Sequence, residues 1–507
     1  MAIADEMGEL LKRTAFSVNI KERLDFSCGI LDSKGELIVN APHIPVHLGS
    51  LGVCVRMVLE KIQVEEDDVI ITNHPGYGGS HLPDITLIAP VFYNGRRIAF
   101  VANRAHHAEI GGKRPGSMPP DAKNLEEEGV AFIPQYIVKK GKANWDSIEE
   151  LLKTSKYPSR SIDENLADLR AGVASLKKGQ DMLHIMCEQH NTGVVLQQME
   201  AIKSYAHIRS LELISSLQKK QFTAIERLDD GSQLSVKINV SDKKIIFDFN
   251  GTSGVHAGNL NANISIVTSA VLYVLRVMIG EKIPLNEGLI KAVELRVPEC
   301  LLNPTFVDDP ALCPAVVGGN TEVSQRLVDT LIKAFELSAC SQGTMNNLLF
   351  GNDAFGYYET IGGGTGAGNG FHGCDAVHHH MTNTLITDPE ILEHRYPAIL
   401  EEFSIRKNSG GMGQWNGGNG IRRIIKFTQT LDLTVLSQHR VESPFGLSGG
   451  QNGQCGSQHI ITRDGDKIDL DGIDEYTVMK GDRLVIETPG GGGYGIQGTS
   501  NTSSFNQ

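Results

Sequence analysis

Thr72-Asn-His-Pro-Gly-Tyr-Gly-Gly-Ser-His81-Leu-Pro-Asp84, Ile85-Thr-Leu-Ile-Ala-Pro-Val-Phe92, Asn94-Gly-Arg-Arg97 and Ile98-Ala-Phe-Val-Ala-Asn103-Arg-Ala-His106-His107-Ala-Glu109-Ile-Gly-Gly112 read as loop, strand, tight turn, strand, loop. Residues 85–92 and 98–102 are apolar runs of strand length, and Asn94-Gly95 between them is a strong hairpin signal. A hairpin brings its open ends together. Here one end carries His81 and Asp84, and the other carries His106, His107 and Glu109. Two imidazoles and a carboxylate converging in this way suit a Mn²⁺, Fe²⁺ or Zn²⁺ ion with coordination positions left open. Pro75 and Pro83 stiffen the loop, and Gly76, Gly78 and Gly79 let it fold back closely. The plainer reading is that these histidines cap loops or bond backbone carbonyls. Neighbouring side chains on a strand point oppositely, so spacing leaves open whether His106 or His107 faces inward.

The chain has 507 residues, enough for about three domains. A hydrophobic content of 40% and a charged content of 21% suit a globular chain with real cores. A net charge of −13 argues against a nucleic-acid surface. Eight cysteines are scattered with no C-x-x-C pair, which fits reduced thiols in a cytoplasmic protein. Residues 1–18 lack the apolar run of a secretory signal. The most apolar window, 264–280, is short and holds Arg276, so it is expected to be a buried helix and not a membrane span. Glycine is in excess, with 55 residues concentrated at 362–373, 409–420, 446–456 and 489–495. Such loops mark places where backbone approaches backbone or ligand, beside ordinary turns.

Taken in order, residues 2–13 read as an amphipathic helix, and 19–28 and 36–40 as a strand and its return. A Pro-stiffened loop, 41–49, carries His43 and His47. Residues 50–63 are helical by period and 69–72 a strand. The Pro-rich, acidic stretch 115–128 reads as a surface loop, 132–138 as a strand and 145–154 as a helix. Residues 161–190 and 194–219 form two long helices. Residues 234–249 alternate as strands turning at Ser241-Asp242, with a helix at about 261–280 and a strand at about 290–298. Residues 321–337 are a helix capped by Asn320 or Thr321. The expected fold class is mixed α/β (α+β) and multi-domain. Residues 1–225 form an N-terminal α/β domain with the hairpin site, and 226–300 a β-β-α-β subdomain. Residues 301–495 make a glycine-rich, β-dominated C-terminal catalytic or interface region, and 496–507 a disordered tail.

Three motifs need weighing. Gly446-Leu-Ser-Gly-Gly450 matches the nucleophile elbow, but no helix former follows, so a turn is expected. Gly368-x-Gly370-x-x-Gly373 matches the dinucleotide fingerprint inside a run so rich in glycine that chance explains it. The phosphate loop G-x-x-x-x-G-K-[ST] is absent, so ATP is not bound by this chain in that way. His378-His-His-Met-Thr-Asn-Thr384 is richer. On a strand His378 and His380 face one way, as proton shuttles, groups behind a metal's ligands or a second metal site; a half-buried strand with one satisfied histidine competes evenly.

Several motifs resemble the hydantoinase B/oxoprolinase family: Asn19-Ile-Lys-Glu-Arg-Leu-Asp-Phe-Ser27, Ala41-Pro-His-Ile-Pro-Val-His-Leu-Gly49, Gly78-Gly-Ser-His-Leu-Pro-Asp84 and Ala105-His-His-Ala-Glu-Ile-Gly-Gly112. Gly370-Phe-His-Gly373, His378 to Thr384, Phe403-Ser-Ile-Arg406 with Ser409-Gly-Gly411, and Glu487-Thr-Pro-Gly-Gly-Gly-Gly-Tyr-Gly495 extend the likeness to nearly the whole chain. The family includes the C-terminal half of ATP-dependent 5-oxoprolinases, the second subunit of N-methylhydantoinases and the large subunit of acetone carboxylases. Its members work with a hydantoinase A-type partner of actin-like ATPase fold. The resemblance implies a divalent ion, Mn²⁺ favoured over Zn²⁺ or Fe²⁺, on His81, Asp84 and His106. The motifs around 19–27 and 41–49 look closest to the 5-oxoprolinase branch. His74 stands where the family usually has Asp, Glu109 replaces another Asp, and His372 and His379 are unusual. Relatives usually carry about twenty more residues before the first helix, so the chain is expected to be truncated or to begin where a fused partner ends.

The resemblance thus implies the hydrolytic component of an ATP-dependent cyclic amidohydrolase. It would convert 5-oxo-L-proline, ATP and water to L-glutamate, ADP and phosphate, with ATP on the partner in a hetero-oligomer. His107 or Glu109 is the expected general base, and His378 and His380 are expected to tune the reaction. The alternatives are an N-methylhydantoinase or acetone-carboxylase-like subunit, and a metal-stabilised scaffold that only organises the ATPase.

Overall fold

The hairpin forms, and its turn shows why. Asn94 and Gly95 take φ angles of 51° and 71°, the pair of positive values whose twist matches the flanking strands. The structure, a computed structural model of the chain, describes residues 1–41, 44–47 and 49–498. His43 and residues 499–507 of the expected tail lie outside the described residues.

In chain order the first strands are β1 (Phe26–Asp32), β2 (Leu37–Asn40), β3 (Val69–Thr72), β4 (Asp84–Tyr93), β5 (Arg96–His106), β6 (Gln135–Lys139) and β7 (Lys142–Ala143). They form one sheet in the order β2-β1-β5-β4-β3-β6-β7. Alternation along β4 sends Ile85, Leu87, Ala89 and Val91 into a core shared with helices Ala2–Thr14 and Ile162–His190. Ile88, with Phe100 and Ala102 of β5, goes into a second core under helix Ser50–Lys61. By the same period Asp84, Thr86, Arg104 and His106 share the face toward that helix. Arg104 confirms the side, since its guanidinium donates to Ser50 Oγ at 2.6 Å and to Thr86 Oγ1 at 2.8 Å.

A second sheet joins β8 (Gln221–Arg227), β9 (Gln233–Ser241), β10 (Lys244–Asp248) and β11 (Val293–Arg296) in the order β11-β10-β9-β8, with helices Ile264–Ile279 and Ser324–Ala334 in its core. The remaining strands are β12 (Asn347–Asn352), β13 (Phe355–Glu359), β14 (Ala398–Arg406), β15 (Gly420–Phe427), β16 (Leu431–Leu436), β17 (Ser457–Ile461), β18 (Lys467–Leu470), β19 (Ile473–Val478) and β20 (Arg483–Glu487). They build two sheets, β13-β12-β16-β19 and β14-β15-β20-β17-β18. The mixed helix-and-sheet class and the β-dominated C-terminal part are as the sequence implies. Helix Trp145–Thr154 and the helix pair Ile162–His190 and Thr192–Ser216 match their periodic patterns, with the break at Asn191, whose φ is 67°.

Four local readings are corrected. Residues 19–28 do not form one strand: Ser17 Oγ caps a helical turn, Val18–Lys21, and β1 starts at Phe26. The stretch 115–128 is not a surface loop. Residues 115–119 are buried, and Glu128, at 0% exposed, accepts hydrogen bonds from Val316 N and Val317 N. The helix at 321–337 begins as a π-helical turn, Gly319–Val323, before helix Ser324–Ala334. Residues 378–380 are loop and turn, with His380 at φ 53°, so no strand alternation orients them.

The glycine clusters are explained by contact. A Cβ on Gly418 would lie 1.9 Å from Cys374 O, and one on Gly491 would lie 1.9 Å from Thr365 O. These segments stack backbone on backbone with no room for a side chain.

Candidate metal centre

The loop that feeds β4 is fixed from both ends. Asn73 Nδ2 donates to Leu82 O and Val130 O, both under 3 Å, while its Oδ1 accepts from Phe132 N. Gly78 turns at φ 81°, and a Cβ there would meet the Cys54 backbone at 2.5 Å. The loop therefore lies flat on helix Ser50–Lys61 and delivers His81 to the end of the hairpin.

In the hairpin register Asp84 is the direct partner of His106. Their side chains consequently share one face, and His107 belongs to the other. The distances agree. Asp84 Oδ1 lies 3.3 Å from His106 Nδ1, and Asp84 Oδ2 lies 3.3 Å from His81 Nε2. Ligand atoms of His81, Asp84 and His106 all lie within 4.8 Å of one another. His107 Nδ1 instead pairs with Asn165 Oδ1 of helix Ile162–His190 at 3.1 Å.

Four buried atoms of the trio have no hydrogen-bond partner: both ring nitrogens of His81, Nε2 of His106 and Oδ1 of Asp84. Buried polar atoms are rarely left so. Burial lowers the His106 pKa, which keeps a lone pair available for a metal. Burial alone would raise the Asp84 carboxyl; the imidazoles of His81, His47 and His106 outweigh it and hold the pKa well below the carboxylate range. Two nitrogens and one anionic oxygen, buried and facing one another with ligand atoms free of hydrogen bonds, fit a divalent ion of the Mn²⁺, Fe²⁺ or Zn²⁺ type.

The surroundings include residues that the sequence did not single out. His47, from the turn Pro45–His47, sets Nε2 3.2 Å from Asp84 Oδ2 and Nδ1 3.1 Å from Ser27 Oγ. Ser80 Oγ donates to the same Asp84 oxygen at 2.5 Å. Tyr358 of β13 stacks on His106 with ring centroids 4.6 Å apart. His47 stands in a Pro-His-x-Pro-x-His motif that could have flagged it, whereas Tyr358 has no local signal at all. Glu109, expected as a candidate base, is clamped: its carboxylate accepts from Gly111 N, Gly116 N at 2.9 Å and Arg160 at 3.2 Å. Burial nonetheless raises its pKa. His380 lies in a different set of contacts, with Nε2 3.3 Å from Asp329 Oδ1 and Nδ1 3.2 Å from Tyr273 OH. His378 keeps both ring nitrogens unpartnered, and burial with the nearby Arg23 holds its pKa down to about 4.

The hydantoinase B/oxoprolinase family profile matches residues 1–497. The chain belongs to the hydantoinase B/oxoprolinase family. It is 46% identical to 5-oxoprolinase 1 of Arabidopsis thaliana over 98% of the chain and 41% of that protein. It is 42% identical to 5-oxoprolinase of Dictyostelium discoideum over 98% of the chain and 39% of that protein. The chain thus spans about two fifths of the length of these curated relatives. The crystal structure of ATP-dependent caprolactamase from Pseudomonas jessenii superposes with a TM-score of 0.88 at 25% identity, covering 98% of this chain and 89% of the other. Among the described residues no helix is long and apolar enough to cross a membrane.

Proposed function

We propose that the chain is the hydrolytic component of an ATP-dependent cyclic amidohydrolase, with 5-oxo-L-proline as its substrate. ATP is bound and spent on a hydantoinase A-type partner with which it forms a hetero-oligomer. The observation that carries the reading is the buried His81–Asp84–His106 cluster with its unpartnered ligand atoms, in a chain 46% identical to a 5-oxoprolinase. These three residues would hold one divalent ion, Mn²⁺ favoured. Such an ion lowers the pKa of bound water and polarises an oxygen of the substrate. His47 and Ser80 fix the Asp84 carboxylate through its Oδ2 and leave Oδ1 directed at the site. The ring of Tyr358 stacks on His106, and both are buried. His107, anchored by Asn165, and Glu109, in its clamp, shape the loop after β5. His378 and His380 tune the reaction from outside the ion's ligand set.

A lactam carbonyl is a poor electrophile, and phosphorylating its oxygen on the partner supplies a leaving group. The test is release of phosphate and glutamate from Mg-ATP and 5-oxoproline. The chain alone is expected to be inert and to become active when the partner is added; substantial turnover by the lone chain overturns the two-component reading. Caprolactam in a parallel assay separates a larger-ring lactamase from a 5-oxoprolinase. If Asp84→Ala, assembled normally with the partner, keeps full turnover, the chain is a scaffold and not the hydrolytic component.

A further inference from the structure

A second buried polar array lies beside this centre, built on the π-helical turn Gly319–Val323 and helix Ser324–Ala334. π-turns occur mostly as single turns within α-helices and frequently mark functional sites. Glu322, Gln325 and Asp329 recur at spacings of three and four residues and so share one stripe. With Asn320 they are at most 4% exposed. Each leaves an oxygen without a partner: Asn320 Oδ1, Glu322 Oε2, Gln325 Oε1 and Asp329 Oδ2.

Three of these side chains are pinned at their other atoms. Glu322 Oε1 accepts from Asn347 Nδ2 at 2.7 Å and Met345 N at 3.2 Å. Gln325 Nε2 donates to His379 O at 3.2 Å. Asp329 Oδ1 accepts from Ser341 N at 3.3 Å and lies 3.3 Å from His380 Nε2. The loop 378–380 therefore runs along the stripe, and His378 and His379 add four more unpartnered ring nitrogens. Burial keeps both imidazoles neutral at pH 7. Eight such atoms, on the helix stripe and the loop that Gln325 and Asp329 tie to it, carry a desolvation penalty that a folded chain does not accumulate without a partner for them.

The chemistry of the array selects that partner. Four of the eight atoms are oxygens of the carboxylate or amide type, and each neutral imidazole offers one acceptor and one donor. The array therefore suits a compact group that donates N–H, one from a lactam ring or several from the amine of its opened form, and that sits beside an acceptor. It touches the metal centre through a short chain: Glu322 to Asn347, Asn347 Oδ1 to Tyr358 OH at 2.9 Å, and Tyr358 stacked on His106. Met381 O, just past the histidine loop, accepts from Val46 N beside His47.

We propose that this array is the recognition site for the N–H side of the lactam substrate and for the amine that ring opening leaves there. The assignment rests on the amidohydrolase reading above. It is tested by isothermal titration calorimetry of the full, Mn²⁺-loaded chain with 5-oxoproline and with the lactone acid of the same ring, in which oxygen replaces N–H. The wild type is expected to bind the lactam at least about tenfold more tightly. In Gln325→Leu the two ligands should bind within about threefold of each other, with metal content unchanged. Glu322→Gln, which keeps the shape and removes an acceptor, supplies the same comparison if Gln325→Leu does not fold. Equal binding of lactam and lactone by the wild type, or a preference that survives both substitutions, overturns the site and leaves the array to ordered water. Turnover of 5-oxoproline by the assembled enzyme reports separately on the function. Turnover without a binding preference sinks the array alone, and no turnover with no binding of either ligand sinks both.

Discussion

Asp84 is the residue on which the candidate metal centre turns, because His81, His47, His106 and Ser80 all lie within hydrogen-bond or ion-pair reach of its carboxylate. Removing it leaves buried imidazoles with no anion between them. Asp84→Ala and His106→Ala are therefore expected to lose stoichiometric metal by elemental analysis, while His107→Ala retains it. His47→Ala, which only releases one carboxylate oxygen, should weaken metal affinity about 10–100-fold. Metal retained in Asp84→Ala would sink the site, and metal lost only in His107→Ala would move one ligand. The clustering of His81, Asp84 and His106 was legible because a short turn and a hairpin place them by local rules. The choice between His106 and His107 was not, since it depends on register, and register is visible only once Asp84 is seen opposite His106. Tyr358 and Glu322 lie hundreds of residues from the hairpin, and no spacing rule reaches that far.

Among the elements, those with a strong period were legible: the hairpin, the helix pair Ile162–His190 and Thr192–Ser216, and the paired strands at 234–249, whose turn falls at Asp242-Lys243, one residue past the expected Ser241-Asp242. Composition misled where a polar segment is buried on specific partners. The acidic turn Leu125–Glu128 looks like surface, yet Glu128 caps the chain just before the π-turn through Val316 N and Val317 N. Burial raises this carboxyl from the usual 4.5 to about 8. A carboxyl raised in the folded state contributes stability in full below pH 4.5 and loses it as pH rises through 8. That contribution is on the order of 3–5 kcal/mol across the window. Glu128→Gln, which mimics the protonated form, should flatten the pH dependence of stability between pH 4.5 and 8, measured by urea denaturation. An unchanged slope would show that Glu128 is already ionised in the folded chain.

For the whole molecule, the question is how the hairpin sheet is held to the C-terminal sheets so that Tyr358 can cover His106. Arg23 makes that link. Its guanidinium is fully buried, donates to Tyr358 O at 2.8 Å, Thr360 Oγ1 at 3.0 Å and Thr384 Oγ1 at 3.3 Å, and lies over the Tyr358 ring at 4.8 Å. Its carbonyl accepts from Leu385 N at 2.9 Å. One residue of the first forty thus fixes two segments more than 330 positions away, one of them the strand that carries Tyr358. Arg23→Met fills much of the same volume but removes the donor to Tyr358 O, while the Thr360 and Thr384 hydroxyls keep each other at 2.8 Å. It is expected to cost on the order of 3 kcal/mol of stability, because hydrogen bonds from a charged donor are worth about 1.5–3 kcal/mol. Because Tyr358 rests on both Arg23 and His106, the variant should also bind Mn²⁺ more weakly at temperatures where it is fully folded. A urea titration and a Mn²⁺ titration of the same preparation check both halves. Loss of stability with wild-type metal affinity would mean that the two halves of the chain meet independently of the metal centre.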